Sequence, residues 1–270
     1  MRIDSHIHLY DPAYGDYSWP APGSEFYRVF SADMFQQAHG GLVDAAILVG
    51  CSGELPYNER VINEHANDKR IAGFIAHMNA DEHLASNTKA LSKIAKYRGF
   101  RIGSSDGLKD GAFGHIERAL GEVDGVMELL GGWQDSWKYK DFFAKRPDRR
   151  FLIEHFGGYA FDGSPMPKAY DDFLNDLASL PNVYLKVSGL YTLCRVTPKP
   201  ISPDFFREAF EAALHAFGED RCLFGSDWPV LRAPYADAVA ITGYVCDRHS
   251  AAARDKVMGA NAMKFYSVKG

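Results

Sequence analysis

Cysteine is scarce in this 270-residue sequence, and the few present are scattered. The four cysteines lie far apart and form no CxxC pair: Cys51, Cys194, Cys222 and Cys246. A chain of this length buries most of its apolar surface without cross-links. We therefore expect the cysteines to be reduced thiols rather than a disulfide framework.

Long apolar runs are also missing. No apolar stretch approaches the roughly 18 residues that a membrane-spanning helix needs. The start, MRIDSHIHLY, lacks the basic segment followed by an apolar segment that marks a secretory signal. We therefore predict a cytoplasmic protein without a membrane partner.

Positive charge is limited as well. Lysine and arginine number 30 against 35 aspartates and glutamates, which makes the net charge −5. The densest basic stretch, Lys145 to Arg150, is interrupted by a proline and an aspartate. This balance disfavours nucleic-acid binding. The sequence does not decide whether the chain forms an oligomer.

Glycine-rich phosphate motifs are absent: no GxGxxG follows a strand, and there is no GxxxxGK[ST]. Their absence argues against an open doubly wound sheet, the main alternative for a chain that alternates strands and helices.

Eight short apolar runs are present, each about strand length: Arg2–Tyr10, Asp44–Val49, Ile71–Met78, Gly99–Gly103, Gly125–Leu130, Phe151–Phe156, Val183–Gly189 and Arg221–Ser226. Eightfold alternation predicts a single (β/α)8 barrel, one domain over residues 1–270.

Amphipathic segments between the runs predict helices. These segments are Asn58–Asp68, Ala80–Tyr97, Gly114–Glu122, Lys168–Ser179, Ser202–Phe217 and Ala251–Phe265. Two loop-rich inserts, Asp11–Tyr27 and Phe156–Pro167, follow strands and are expected on the catalytic face of the barrel.

The first strand carries an unusual row of polar residues. Alternation along a strand predicts that Asp4, His6 and His8 share one face, opposite Ile3, Ile7 and Leu9. Two imidazoles about 7 Å apart along a strand can reach one metal ion. Asp4 can hold the two histidines in place without itself binding the metal.

Two other strand ends complete a candidate set. The sixth run ends at His155, and the eighth is followed by Asp227. Carboxyl ends of barrel strands open onto one face, so His6, His8, His155 and Asp227 are expected to meet there. Three imidazoles and a carboxylate can hold one metal ion with open positions for water. Asp227 can instead accept a proton from the attacking water.

These motifs, in this order, resemble the amidohydrolase superfamily of metal-dependent hydrolases. The resemblance rests on the Asp-x-His-x-His start, the strand-end His155 and the segment Gly225 to Pro229, and it covers residue 2 to about Phe265. The segment Asn182 to Leu190 is similar to the lactonase branch, with its fuconolactonase-, rhamnonolactonase- and pyrone-dicarboxylate-lactonase-like enzymes. The resemblance implies a (β/α)8 barrel that hydrolyses an ester bond within a small ring.

The resemblance also implies site residues. His6 and His8 match the first-strand pair, His155 the mid-chain histidine and Asp227 the last-strand carboxylate; the family implies that they bind one divalent ion, zinc or manganese. A second ion is not expected, because the seventh run has no histidine and Glu128, the only candidate bridging group, is interpreted as a substrate-binding or structural residue. A metal-free site is the alternative, since some lactonases of this branch are thought to work without a tightly held ion.

Further substrate-binding candidates lie near other strand ends. Arg101 matches a strand-end arginine of the lactonase branch and can clamp a carboxylate with two hydrogen bonds. Lys186 either adds positive charge inside the barrel or pairs with a buried acid such as Glu128. The remaining candidates are Ser52, Asn58, His77, Gln134 and Ser188, and the first long loop adds ring-stacking aromatics: Tyr10, Tyr14, Tyr17, Trp19 and Tyr27.

The function expected is hydrolysis of a small lactone, either a sugar-acid lactone or a pyrone or muconolactone carboxylate. Asp227 takes the proton of the water and passes it to the leaving oxygen, and His155 stabilises the oxyanion if no metal is held. The first alternative is nonhydrolytic decarboxylation of an unsaturated acid on the same barrel. The second is a binding protein that turns nothing over. The segment Asn182 to Leu190 favours the lactonase.

Overall fold

The computed structural model describes residues 1–15, 19–197 and 202–269. Its framework is one sheet of eight parallel strands that follow one another in chain order. The strands are β1 (Ile3–Ile7), β2 (Ala45–Val49), β3 (Ile71–His77), β4 (Tyr97–Gly103), β5 (Val126–Leu130), β6 (Arg150–Ile153), β7 (Val183–Ser188) and β8 (Cys222–Gly225). Ile7 pairs with Trp228 just beyond β8, so the first and last strands meet. The predicted (β/α)8 barrel is confirmed.

Helices connect successive strands. They are α1 (Ala32–His39), α2 (Leu55–Glu64), α3 (Leu84–Leu91), α4 (Ala112–Glu122), α5 (Trp133–Trp137), α6 (Lys140–Ala144), α7 (His155–Gly158, a single left-handed turn), α8 (Lys168–Ala178), α9 (Asp204–Phe217), α10 (Tyr235–His249), α11 (Ala253–Asp255) and α12 (Asn261–Phe265). The short elements α5, α6 and α7 and the longer helices α1 and α10 lie outside the predicted segments. Cap signals for α1 are present, since Ser31 accepts a hydrogen bond from the Met34 amide and Gly40 ends the helix in a left-handed conformation. Thr242, Gly243 and Tyr244 weaken the helical signal of α10.

The interior of the barrel is apolar at one end and polar at the other. Apolar side chains from six strands fill the end where the strands begin, and two aromatic side chains of the chain terminus pack below them: Ile3, Ile47, Val49, Ile75, Val126, Leu152, Leu223, Phe265 and Tyr266. A larger apolar layer packs between the strands and the helices. Polar interior side chains begin at the middle of the strands, where Glu128 contacts Lys186 and Tyr266, and continue to the carboxyl ends, where barrel enzymes carry their sites.

A β-bulge in β1 changes which residues face the interior. The register with β2 shifts between Asp4 and Ile7, so strict alternation fails in this strand. Ile3 faces the interior with His6, whereas Asp4 turns outward and accepts a hydrogen bond from the Tyr235 hydroxyl at 2.8 Å. The prediction that Asp4, His6 and His8 share one face is therefore wrong for Asp4, and Ile3 does not share a face with Ile7.

Two negative expectations can be compared with the described residues. The four cysteines are buried, and none of them forms a disulfide among the described residues. Within the described ranges no helix has the length and apolar character needed to cross a bilayer.

Candidate active site

One carboxylate oxygen lies among three imidazoles at the polar end of the barrel. Asp227 Oδ1 is 3.6 Å from His6 Nε2, 3.5 Å from His8 Nε2 and 4.0 Å from His155 Nε2. The Nε2 atoms of His6 and His8 are 3.2 Å apart. All four side chains are buried or nearly so. The four residues expected to meet from the sequence are therefore brought together.

The backbone is strained where two of these side chains leave their strands. Asp227, His155 and Phe156 have φ values of 63°, 50° and 51°, in the left-handed region that residues other than glycine rarely adopt. Such strain clusters at functional sites, because the surrounding structure must hold it in place. Gly225 allows a close approach beside them: a Cβ there would lie 2.8 Å from the Cβ of His6.

Hydrogen bonds behind the imidazoles fix their orientation. His8 Nδ1 is 2.8 Å from the carbonyl oxygen of Val49 and 3.4 Å from Cys51 Sγ. His155 Nδ1 is 2.7 Å from Ser188 Oγ. With their Nδ1 atoms occupied in this way, both rings turn Nε2 toward Asp227. Asp4 contributes through the backbone rather than the ring, because it accepts from the amide of His6 at 3.0 Å.

A layer of buried charges lies directly below. Glu154 Oε2 accepts from Arg101 Nη1 at 3.1 Å, and Glu154 Oε1 lies 3.5 Å from His6 Nδ1. Lys186 Nζ donates to Glu128 Oε2 at 2.6 Å and lies 3.3 Å from His6 Nδ1. Sequence reasoning missed Glu154. The alternation of β6 would have found it, because Leu152 faces the barrel interior and Glu154 lies two residues further on.

The surrounding charges shift the protonation of the site. Burial together with nearby Lys186 holds the pKa of His6 well below its usual range. Burial opposes protonation of His8, but its contacts with Cys51 and Asp227 outweigh burial and raise the pKa of His8 to about 9. Burial likewise opposes ionisation of Asp227, but His155 and His8 hold the pKa of Asp227 below its usual range. The carboxylate is therefore ionised at neutral pH.

A cavity of about 320 Å³ opens above the Asp227 carboxylate. Its polar wall consists of His8, Cys51, His77, Arg101, His155, Thr192 and Asp227, and its apolar wall of Trp19, Leu130, Leu193 and Val230. A volume of this size suits a small-molecule ligand. Trp19 is the loop aromatic that lines the cavity, and Tyr17 lies outside the described residues.

The predicted substrate-binding residues divide into two groups. Arg101 and His77 line the cavity, and burial lowers the pKa of His77 to about 3, so its ring is neutral. Lys186 is fully buried below the floor of the cavity. It pairs there with Glu128, which is one of the two interpretations of Lys186 from the sequence. Ser188 also lies outside the cavity lining, behind His155.

Three further candidates have local structural contacts instead. The Asn58 amide donates to the carbonyls of Ser52, Glu54 and His77, which ties the start of α2 to the end of β3. Ser52 Oγ accepts from the Glu54 amide. Gln134 is exposed on α5. None of Ser52, Asn58 and Gln134 lines the cavity as far as the chain is described.

In the part of the chain that the structure describes, two groups of side chains offer metal-ligand atoms within 4.8 Å of one another. One consists of His6, His8 and Asp227, and the other of His6, Glu154 and His155. Imidazole nitrogens with a carboxylate oxygen are a donor set that zinc accepts. Each of the four residues predicted to bind the metal belongs to one of these groups, and His155 is grouped with Glu154 rather than with His8.

Comparisons with known proteins agree with this geometry. A family model described as Amidohydrolase matches residues 3–268. An L-fucono-1,5-lactonase of Burkholderia multivorans is 27% identical, covering 99% of this chain and 96% of its own length. A second L-fucono-1,5-lactonase, from Burkholderia ambifaria, is 25% identical with the same coverage.

Solved structures show the same fold. A crystal structure of an amidohydrolase from Burkholderia multivorans with bound zinc has a TM-score of 0.84 at 24% identity, covering 100% of both chains. The 5-carboxyvanillate decarboxylase of Sphingomonas paucimobilis has a TM-score of 0.66 at 13% identity, covering 99% of both chains. At these identities the likeness concerns the fold alone.

Proposed function

The chain belongs to the amidohydrolase family, and from that premise we propose that it is a hydrolase that opens the ring of a small lactone with an activated water. One observation carries the proposal: Asp227 Oδ1 lies 3.5 to 4.0 Å from three imidazole Nε2 atoms beside a cavity of small-molecule size. The two L-fucono-1,5-lactonases, which match almost the whole chain, support ring opening of a lactone as the reaction.

In the proposed mechanism Asp227 is the general base. Its ionised carboxylate takes a proton from the water that attacks the lactone carbonyl, and it later returns that proton to the leaving ring oxygen. His155, held through Nδ1 by Ser188, presents Nε2 to the oxygen that becomes negative. The apolar wall limits bulk water around the ring.

The donor set fits one divalent ion. We propose that His6 Nε2, His8 Nε2 and Asp227 Oδ1 hold zinc or manganese, with Glu154 and His155 as the other group within reach. A bound ion supplies a Lewis acid for the carbonyl and lowers the pKa of bound water toward about 7. The carboxylate of Asp227 has a second oxygen, which would remain available to accept the proton of the water.

Arg101 lines the cavity and also contacts a buried acid. Its Nη1 donates to Glu154 and its Nη2 to the carbonyl oxygen of Gly50 at 2.8 Å. Its Nε is buried with no hydrogen-bond partner among the described residues, and each Nη carries a second N–H. We propose that Arg101 holds Glu154 in place and offers its remaining donors to the substrate. The two L-fucono-1,5-lactonases favour a sugar lactone over a pyrone dicarboxylate or a decarboxylation substrate.

An assay with three readouts tests the proposal. Purified protein is incubated with neutral sugar lactones, with a pyrone dicarboxylate and with an unsaturated carboxylic acid, while released acid and carbon dioxide are measured. We expect acid release from a sugar lactone and no carbon dioxide. Carbon dioxide release without lactone opening would establish the decarboxylase instead, and binding without turnover of any substrate would indicate a binding protein.

Two expectations from the sequence stay predictions: a single domain over residues 1–270 and a cytoplasmic location.

A further inference from the structure

A second cavity, of about 680 Å³, lies at the opposite end of the barrel from Asp227. It is bordered by residues at the starts of β2, β3 and β4 and by the segment that follows α12. Barrel enzymes place catalysis at the other end. Whatever this cavity binds is therefore separate from the proposed lactone.

Its lining is strongly cationic. Lys69, Lys96, Arg98 and Lys269 line it, and no aspartate or glutamate does so within the described ranges. The chain as a whole carries more acids than bases. Four positive side chains around one cavity, with no carboxylate in its wall, raise the local concentration of anions.

Arg98 is a partly buried cation in the wall of this cavity, and the surrounding backbone holds it in place. Its Nη1 donates to the carbonyl oxygens of Ala95 at 2.8 Å and Tyr97 at 2.9 Å, and its Nε is buried with no hydrogen-bond partner among the described residues. Burial lowers the pKa of Arg98, which shows that the charge is partly desolvated. Gly73 makes room for it, since a Cβ there would lie 2.8 Å from Arg98 Cγ.

Lys96 is a second cation that forms no ion pair within the described ranges. Its ammonium donates to the backbone carbonyl oxygens of His65 at 2.9 Å and of Asp68. The carboxylate of Asp68 is engaged by Arg70, at 2.9 Å to Oδ1 and 2.7 Å to Oδ2. Burial lowers the pKa of Lys96, although the nearby Asp68 opposes that shift. An external anion would complete the charge balance of both Lys96 and Arg98.

We propose that this cavity binds a small polyanion, a metabolite that carries phosphate or carboxylate groups. Arginine offers planar paired donors to such oxyanions, and lysine adds point charge. The volume suits a ligand of metabolite size.

Calorimetric titration of the full-length protein at low ionic strength tests this site, with pyrophosphate and citrate as separate probes for phosphate and carboxylate recognition. The first variant is Arg98→Gln, which keeps the packing over Gly73 and removes the charge. The control is Lys145→Gln, an exposed lysine outside the cavity with the same change in net charge. We expect one anion to bind per chain. The dissociation constant should be at least about 10-fold higher in Arg98→Gln and unchanged in the control.

A second variant keeps the test decisive if Arg98→Gln does not fold. Lys69 and Lys269 are exposed, so the double substitution Lys69→Gln with Lys269→Gln leaves the packing intact. It should weaken binding several-fold, and added salt should weaken it further because the attraction is screened. No binding of either probe at millimolar concentration would overturn the proposal. Equal binding by the wild-type protein and the cavity variants would overturn it as well.

Discussion

His6 and His8 bring their Nε2 atoms to 3.2 Å from each other, although the two residues are separated by one position in the chain. Two imidazole nitrogens at this distance either share a proton or bind a common cation. Asp227 Oδ1 lies 3.6 Å from one and 3.5 Å from the other, which makes a shared cation chemically reasonable.

Replacement of His8 by Asn tests this relationship. We expect the protein to lose its divalent ion, and kcat/KM to fall by at least about 100-fold, because even residues behind metal ligands affect function up to that extent. Metal content per chain by elemental analysis is the measurement. His83→Asn, at an exposed histidine on another loop, is the control and should keep the ion. Unchanged metal content in His8→Asn would contradict the assignment.

Ser188 should act on catalysis through His155. Ser188→Ala removes the 2.7 Å contact that orients the ring, so we expect kcat to fall by about 10-fold with little change in KM. Steady-state kinetics of the matched variant Ser136→Ala provide the control, since Ser136 is also fully buried and its hydroxyl has no hydrogen-bond partner among the described residues. The positioning role would be refuted by equal kcat values for the two variants.

Arg101 should matter for stability through Glu154. Arg101→Met leaves a buried carboxylate without its nearest cation, and we expect the free energy of unfolding to fall by about 3 kcal/mol. Adding Glu154→Gln should restore much of that loss. The exposed pair Arg254–Asp247 is the control, for which Arg254→Met should cost less than about 1 kcal/mol. Urea denaturation measures all three, and equal losses at Arg101 and Arg254 would contradict the buried pair.

The close approach of β8 to His6 can be tested at Gly225. A Cβ at this position would lie 2.8 Å from the Cβ of His6 and 3.0 Å from that of Ser188, so Gly225→Ala should shift β1 and lower kcat/KM by about 100-fold. Gly121→Ala is the control, because the helical Gly121 has nothing within 4 Å and should gain about 0.5 to 1 kcal/mol of stability. Full activity in Gly225→Ala would show that the contact is not critical.

The sequence was sufficient to predict the barrel and the residues at its strand ends. Apolar runs mark all eight strands, and His6, His8, His155 and Asp227 converge because parallel strands end at one face. This part of the site depends only on strand order.

What the sequence did not reveal depends on register and on contacts between distant residues. The bulge in β1 reverses the side on which Asp4 lies, and no residue type in DSHIH signals it. Arg101 and Lys186 have the chemistry of anion-binding residues, but their partners Glu154 and Glu128 lie on other strands. Only the folded structure shows whether such a cation is available to a substrate or paired with a buried acid.

Lactone hydrolysis by the variant Asp227→Asn measures directly whether this carboxylate activates the water. The substitution keeps the size of the side chain but removes its ability to accept a proton. We expect the variant to keep the fold, as judged by circular dichroism, while kcat for the best lactone falls by about 10² to 10⁴-fold. Turnover close to that of the wild-type protein would contradict the assignment of Asp227 as the base that activates water.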